Sequence, residues 1–268
     1  MNTSADNSGR IDHEVQGHVL VITINRPAKR NGFTPAMFAQ LAKAYSLLED
    51  DAQLRVGLLC AAGEHFTAGL DLPTFAGLMQ RGEQAIPAGE VDPVDLNTPG
   101  LRRRSKPLVV AVKGITYTLG IELMLAADIV VAADNCRFSQ LEVKRGIMAT
   151  GGATLRMAER AGAGNALLHL LTGDEFDAAE ALRLHFVQQV VPAGEEMAQA
   201  LRLAHTIAAQ APLAVVATRQ SVMQAIEQGP MAARAQFDDI QKKLANSADA
   251  AEGVRSFVEK RAAVFKGC

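Results

Sequence analysis

The chain has 268 residues, and its 27 lysines and arginines against 29 aspartates and glutamates leave a formal net charge of -2. That length buries a sizeable core, while the near-balanced charge provides neither a nucleic-acid surface nor an acidic tail. Three cysteines without CxxC spacing and six histidines without HxxxH spacing support no disulfide framework and no zinc site. The first ten residues are polar and no apolar run reaches membrane-spanning length. The expectation is a cytosolic protein without metal, nucleic-acid or membrane partner.

Residues 1–10 read as a disordered lead. His18 to Ile24 is β-branched and strand-like, and Ile11 to Val15 can pair with it across Gln16-Gly17. A turn-rich loop follows, carrying Arg26, Lys29 and Arg30. Thr34 as N-cap and Pro35 in the first turn open a helix to about Asp50. Val56 to Cys60 is a short buried strand, and Ala68-Gly69-Leu70-Asp71 is a strand-to-helix turn. Pro87, Gly89, Pro93, Pro99 and Gly100 punctuate the less orderly residues 76–106. The basic run Arg102-Arg103-Arg104 within them reads as a solvated helix end. Leu108 to Val112 and Ile129 to Ala132 are further strands, with a helix from Gly120 to Ala127 between them. This alternation predicts an α/β core over residues 11–192. From Gly151 onward the periodicity is helical (153–161, 164–171, 177–184, 194–210, 212–228, 230–246 and 248–261), interrupted by a strand from Val187 to Val191. Residues 193–268 form a helical C-terminal region.

Glu122 and Glu142 flank a near-unbroken apolar run, Leu123 to Ala133, whose one charge is Asp128. An acid entering such a run is costly unless it is satisfied or used. Taken singly, Glu122 is an ordinary first-turn glutamate favoured by the helix dipole, and Glu142 a surface partner for Lys144 or Arg145. Taken together they form a candidate acid/base pair. The turns Ala68-Gly69 and Thr118-Leu119-Gly120 can each aim a backbone N–H at one carbonyl oxygen.

Three segments in order, FTAGLDL (66–72), GITYTLGIELMLAADI (114–129) and FSQLEVKRGIMATGGATLR (138–156), resemble the enoyl-CoA hydratase/isomerase (crotonase) family. Arg26-Pro27 with Asn31, LLTGDEFDAAEALRLHFVQQVVP (170–192) and FVEKRAAVFK (257–266) extend the resemblance over residues 11–266. It implies the spiral fold of ββα units in two roughly perpendicular sheets, with a helical C-terminal region that drives trimerisation, as a homotrimer or a dimer of trimers. It also implies an acyl-CoA thioester substrate and no cofactor, coenzyme A being part of the substrate. By resemblance the backbone N–H groups of Ala68 and Leu119 form the oxyanion hole. Ala68, Gly69, Leu70 and Asp71, with Thr118, Leu119 and Gly120, line the substrate. Glu122 orients and deprotonates a water, and Glu142 supplies the α-proton. Arg26, Lys29 and Arg30 are candidate partners for the CoA phosphates, and Phe257, Lys260 and Phe265 candidates to reach a neighbouring subunit's site.

Two departures stand out. Thr118-Leu119-Gly120 replaces a frequent run of glycines, adding bulk beside the thioester, and Leu141 replaces a frequent proline before the second glutamate. The residues expected to shape the acyl pocket lie in 72–106. Retention of both glutamates favours an enoyl-CoA hydratase. Isomerase, dehalogenase or thioester/C–C hydrolase chemistry at the same hole, or a silent acyl-CoA-binding paralogue, are the alternatives.

Overall fold

The computed structural model describes residues 8–268, and its first element is a hairpin. β1 (Arg10–Gln16) and β2 (Val19–Asn25) pair antiparallel across Gly17, whose φ of 63° is the left-handed geometry that glycine enters at least cost. The disordered lead read for residues 1–10 therefore stops short: Arg10 is already paired with Asn25, while residues 1–7 lie outside the described range.

From β2 the chain repeats a strand, a short second-layer segment and a helix. β2, β3 (Val56–Ala61), β4 (Leu108–Val112), β6 (Ile129–Ala133) and β9 (Gln189–Val191) run parallel, giving a six-stranded sheet ordered β1-β2-β3-β4-β6-β9. Such strands are covered on both faces and need continuous apolar sequence, as in the fully buried Leu108–Val112. The second layer is β5 (Ile115–Tyr117), β7 (Arg137–Ser139) and β8 (Phe176–Asp177), in that order. Single parallel bridges, Thr67 to Thr116 and Phe33 to Leu70, continue it past the earlier turns of the chain.

α1 (Pro35–Asp50) starts where predicted, with Thr34 Oγ1 accepting the Met37 N–H at 3.2 Å. α2 (Leu72–Arg81) runs into the stretch expected to be irregular and stops at Gly82. The loop beyond it is built rather than loose: the Asp92 carboxylate accepts from Val94 N–H, Leu96 N–H and Thr98 Oγ1. α3 (Leu119–Ala126), α4 (Ala153–Ala161), α5 (Ala163–Thr172) and α6 (Ala178–Arg183) follow. Then come α7 (Glu196–Ala208), α8 (Pro212–Gln228), α9 (Pro230–Arg234), α10 (Phe237–Ala245) and α11 (Ala248–Glu259). The single helix expected over 230–246 is thus two. Strand alternation divides the core. Leu20, Ile22 and Leu59 share one cluster with α1 and α3, whereas Val19, Val21, Leu58 and Val109 pack on Ala200, Ala204 and Ala208 of α7.

Asp128, the lone charge of the apolar run, has a structural role. It accepts Arg104 at 2.8 Å, Arg219 of α8 at 2.8 Å and the Leu108 N–H at 2.7 Å. Burial pushes its carboxyl up, but the two guanidinium groups outweigh this and hold it below the usual range. Arg103 pairs with Asp95 and Glu227, and Arg102 with Asp50. The solvated helix end expected for 102–104 is instead a set of ion pairs, buried at Arg104, half-buried at Arg103 and exposed at Arg102.

Replacing Asp128 with alanine would leave the nearly inaccessible Arg104 uncompensated, and is expected to cost about 3–5 kcal/mol of folding free energy. Chemical denaturation measures this against Arg10→Ala, which removes an exposed pair worth under about 1 kcal/mol. A small cost at Asp128 would contradict its assignment as a core tie.

Candidate active site

Glu122 sits in the first turn of α3, every residue of which is buried, and is itself 6% exposed. Its Oε1 accepts the Gly151 N–H at 2.6 Å and, more weakly, that of Ala153 at 3.5 Å, where α4 begins. Only glycine permits this approach, since a Cβ at residue 151 would lie 2.3 Å from Glu122 Oε2. Burial, then the negative charge of Glu142, pushes the Glu122 carboxyl up to about 7, against the pull of those N–H groups and Arg156.

Glu142 opens a 3-10 turn, Glu142–Arg145, and burial raises its carboxyl as well. Its Oε2 is buried without a hydrogen-bond partner among the described residues. The cations once available to it are spent elsewhere: Lys144 pairs with Asp174, and Arg145 donates to the Lys144 carbonyl. The two acids are held together by register. β5 pairs with β7 so that Tyr117 faces Ser139, and Thr118 N–H donates to the Ser139 carbonyl at 2.9 Å. Each glutamate follows shortly after that junction.

The two candidate donor turns also meet. A Cβ at Gly69 would fall 1.7 Å from Thr118 Oγ1, so only glycine fits, and Tyr117 N–H donates to the Thr67 carbonyl at 3.0 Å. The donor expected in the first turn needs correction. Ala68 N–H is already bonded to the Arg30 carbonyl at 2.9 Å, and Gly69 N–H to Thr67 Oγ1 at 3.0 Å. Phe33 bonds the Gly69 carbonyl and the Asp71 N–H, which turns the Leu70 N–H to the opposite side. Leu70 and Leu119 N–H have no partner among the described residues, the latter as a first-turn amide of α3. The segment FTAGLDL carried this information only in its pairing with Phe33, a contact between residues distant in sequence.

Thr118 holds φ 49° and ψ −114°, a strained geometry for a β-branched residue. Its neighbours enforce it, because its carbonyl accepts from Ile121 and Glu122 N–H. Leu119, 4% exposed, turns its side chain into the core, so of the expected extra bulk only Thr118 stands beside the turn.

The remaining predicted residues divide. Arg26 is buried, donating to Asp71 and the Gly32 carbonyl, each at 2.8 Å, so this pair fastens the loop. Asn31 accepts from Arg26 N–H and donates to the Ala62 and His65 carbonyls. Lys29 and Arg30 are exposed, and Arg30 borders a surface cleft of about 460 Å³ with Pro27, Glu64 and His65. Phe257 is 84% exposed on α11, so it does not pack within its own chain, while the Phe265 carbonyl accepts Arg55. Lys260 caps α11 in the left-handed region.

Comparison with known proteins agrees with this geometry. The profile of the family described as Enoyl-CoA hydratase/isomerase matches residues 14–268. An enoyl-CoA hydratase of Mycobacterium tuberculosis is 35% identical over 94% of this chain and 95% of its own. The 2,3-dehydroadipyl-CoA hydratase of Escherichia coli is 33% identical over 94% and 96%. Among solved structures, a probable enoyl-CoA hydratase/isomerase from Mycobacterium abscessus superposes with a TM-score of 0.93 at 46% identity, covering 96% of this chain and 98% of that one.

The buried carboxyl has a thermodynamic signature. From its ordinary value of 4.5 to about 7, the folded chain holds the Glu122 proton more tightly than the unfolded chain does. Stability is therefore fully present below the lower value and declines as pH rises through the upper one, by up to about 3 kcal/mol. Glu122→Gln removes that decline. Its melting temperature relative to the native protein is expected to rise between about pH 4 and pH 8; an offset independent of pH would contradict the assigned ionisation.

Proposed function

The chain belongs to the enoyl-CoA hydratase/isomerase family, and on that footing we propose that it is an enoyl-CoA hydratase, adding water reversibly and syn across a trans-2-enoyl-CoA. The observation that carries the reading is the pairing of two carboxyls, both raised by burial, with two unpartnered backbone donors in adjoining turns.

Leu70 and Leu119 N–H donate to the thioester oxygen, where negative charge collects as water attacks the β-carbon. Fixed donors need no reorganisation as that charge appears, and losing one costs roughly 3–4 kcal/mol in comparable sites. Glu122 accepts a proton from the attacking water, while Glu142 delivers one to the α-carbon of the enolate. One carboxyl gains the proton that the other loses, so a proton exchange between them or with solvent restores the resting pair. A carboxyl raised to about 7 is well matched to proton transfer near neutrality. The balance involves no electron carrier and requires no cofactor.

The alternative chemistries at the same hole can run on one acid/base group, and retention of two coupled carboxyls speaks for hydration. A catalytically silent paralogue would have no use for the costly burial of both. The relatives are named for hydration or dehydration of different acyl groups, including dehydroadipyl-CoA and, in Proteus mirabilis, carnitinyl-CoA. Exposed apolar residues on α9 and α11, such as Met231, Val254 and Phe257, suit burial against further copies of this chain in a trimer or dimer of trimers. A cytosolic location is part of the same proposal.

Hydration is followed as loss of conjugated-thioester absorbance with crotonyl-CoA and longer enoyl-CoAs, with 3-hydroxyacyl-CoA as product. Glu122→Gln and Glu142→Gln are each expected to lower turnover at least about 100-fold while acyl-CoA still binds. No absorbance loss at any chain length would contradict the hydratase reading.

A further inference from the structure

Thr118 stands in a backbone geometry, φ 49° and ψ −114°, that a β-branched residue enters only at a cost and glycine enters freely. Its N–H donates to the Ser139 carbonyl, and its own carbonyl accepts from the Ile121 and Glu122 N–H groups. Neither bond needs a side chain, so the backbone alone does not account for a threonine at this position. Strain kept where glycine would remove it points to use of the side chain.

The hydroxyl lies between the two free donors. A Cβ on Gly69 would fall 1.7 Å from Thr118 Oγ1, so that oxygen takes the space a side chain at residue 69 would need. Gly69 directly precedes the unpartnered Leu70 N–H, and Thr118 directly precedes the unpartnered Leu119 N–H. A second hydroxyl beside the same glycine is committed within the fold. Thr67 Oγ1 donates to the Asn31 carbonyl at 2.7 Å and accepts the Gly69 N–H at 3.0 Å. Thr118 Oγ1 has no partner among the described residues. The residue is half-buried and its oxygen is open to solvent, so a ligand atom can reach it.

The reaction supplies such an atom. As water adds, the thioester oxygen turns anionic, and an anionic oxygen accepts more hydrogen bonds than two backbone donors provide. A hydroxyl rotates to donate and strengthens its bond as the acceptor gains charge. From this geometry we infer that Thr118 is a catalytic residue of the hydration, its hydroxyl donating to the thioester oxygen beside the Leu70 and Leu119 N–H groups. This rests on the hydratase reading above.

Thr118→Val keeps the volume and the branched Cβ but loses the donor. With crotonyl-CoA it is expected to lower kcat about tenfold or more, the size of a hydrogen bond to a charged acceptor, while KM changes little. Thr118→Ser, which keeps the hydroxyl, is expected to restore turnover. Thr118→Gly, which frees the backbone without supplying a donor, is expected to be as slow as the valine variant. A second readout needs no turnover: the infrared C=O stretch of bound butyryl-CoA labelled with carbon-13 at the thioester carbon. It is expected at lower frequency in the native and serine proteins than in the valine variant, because each added donor weakens that bond. A valine variant with the native kcat, or with the native stretch, overturns the third donor, and so does a serine variant as slow as valine. In those cases the native enzyme still hydrates crotonyl-CoA, and the hydratase reading stands. A native enzyme that hydrates neither crotonyl-CoA nor longer enoyl-CoAs overturns that reading, and the catalytic role of Thr118 with it.

Discussion

A buried carboxyl, Glu122, beside a half-buried one, Glu142, constrains the rest of this molecule. Among the described residues neither charge is neutralised by a salt bridge; what Glu122 receives is the start of α4, through Gly151 and Ala153 N–H. That helix start must then be held in place. Arg156, one turn further along α4, donates to the Val94 and Asp95 carbonyls at 2.8 and 2.9 Å. Asp95 is tied in turn to Arg103 and to Arg219 of α8. Through these links the loop after α2 and the C-terminal helices support a carboxyl they do not touch. A site that stores unfavourable burial depends on such a frame, because a small relaxation would let water in and return the acids to ordinary behaviour.

The donor turns follow the same logic. Thr118 occupies a backbone conformation that glycine would enter freely, and it is held there by bonds to Ser139, Ile121 and Glu122. What the replacement of glycines changes is therefore narrower than composition suggests. Leu119 contributes its side chain to the core and its N–H to the turn, while Thr118 contributes bulk against Gly69.

Much of this was legible in the sequence because it is local. The hairpin across Gly17, the Thr34-Pro35 helix start and the apolar strands each depend on neighbouring residues. The pairing of Glu122 with Glu142 was legible only jointly, from the order and spacing of several segments. What escaped depends on contacts far apart in the chain. Bonding of Ala68 to Arg30 moves the free donor to Leu70, a shift no residue pattern within 66–72 reveals. Arg104 looked like a surface cation because its partner, Asp128, is brought to it by the adjacency of β4 and β6. Arg26, read as a phosphate contact, is held by Asp71 on another turn of the spiral. The division of 230–246 into α9 and α10 had no glycine or proline to announce it.

The central claim is that Glu122 and Glu142 share one water-poor site and feel each other's charge. Carbon-13 NMR of the labelled Glu122 carboxyl, titrated in the native protein and in Glu142→Gln, tests it most directly. The account predicts a midpoint near 7 in the native protein and a lower one in the variant, because the facing negative charge is gone. A midpoint at the ordinary 4.5 in both proteins would contradict it.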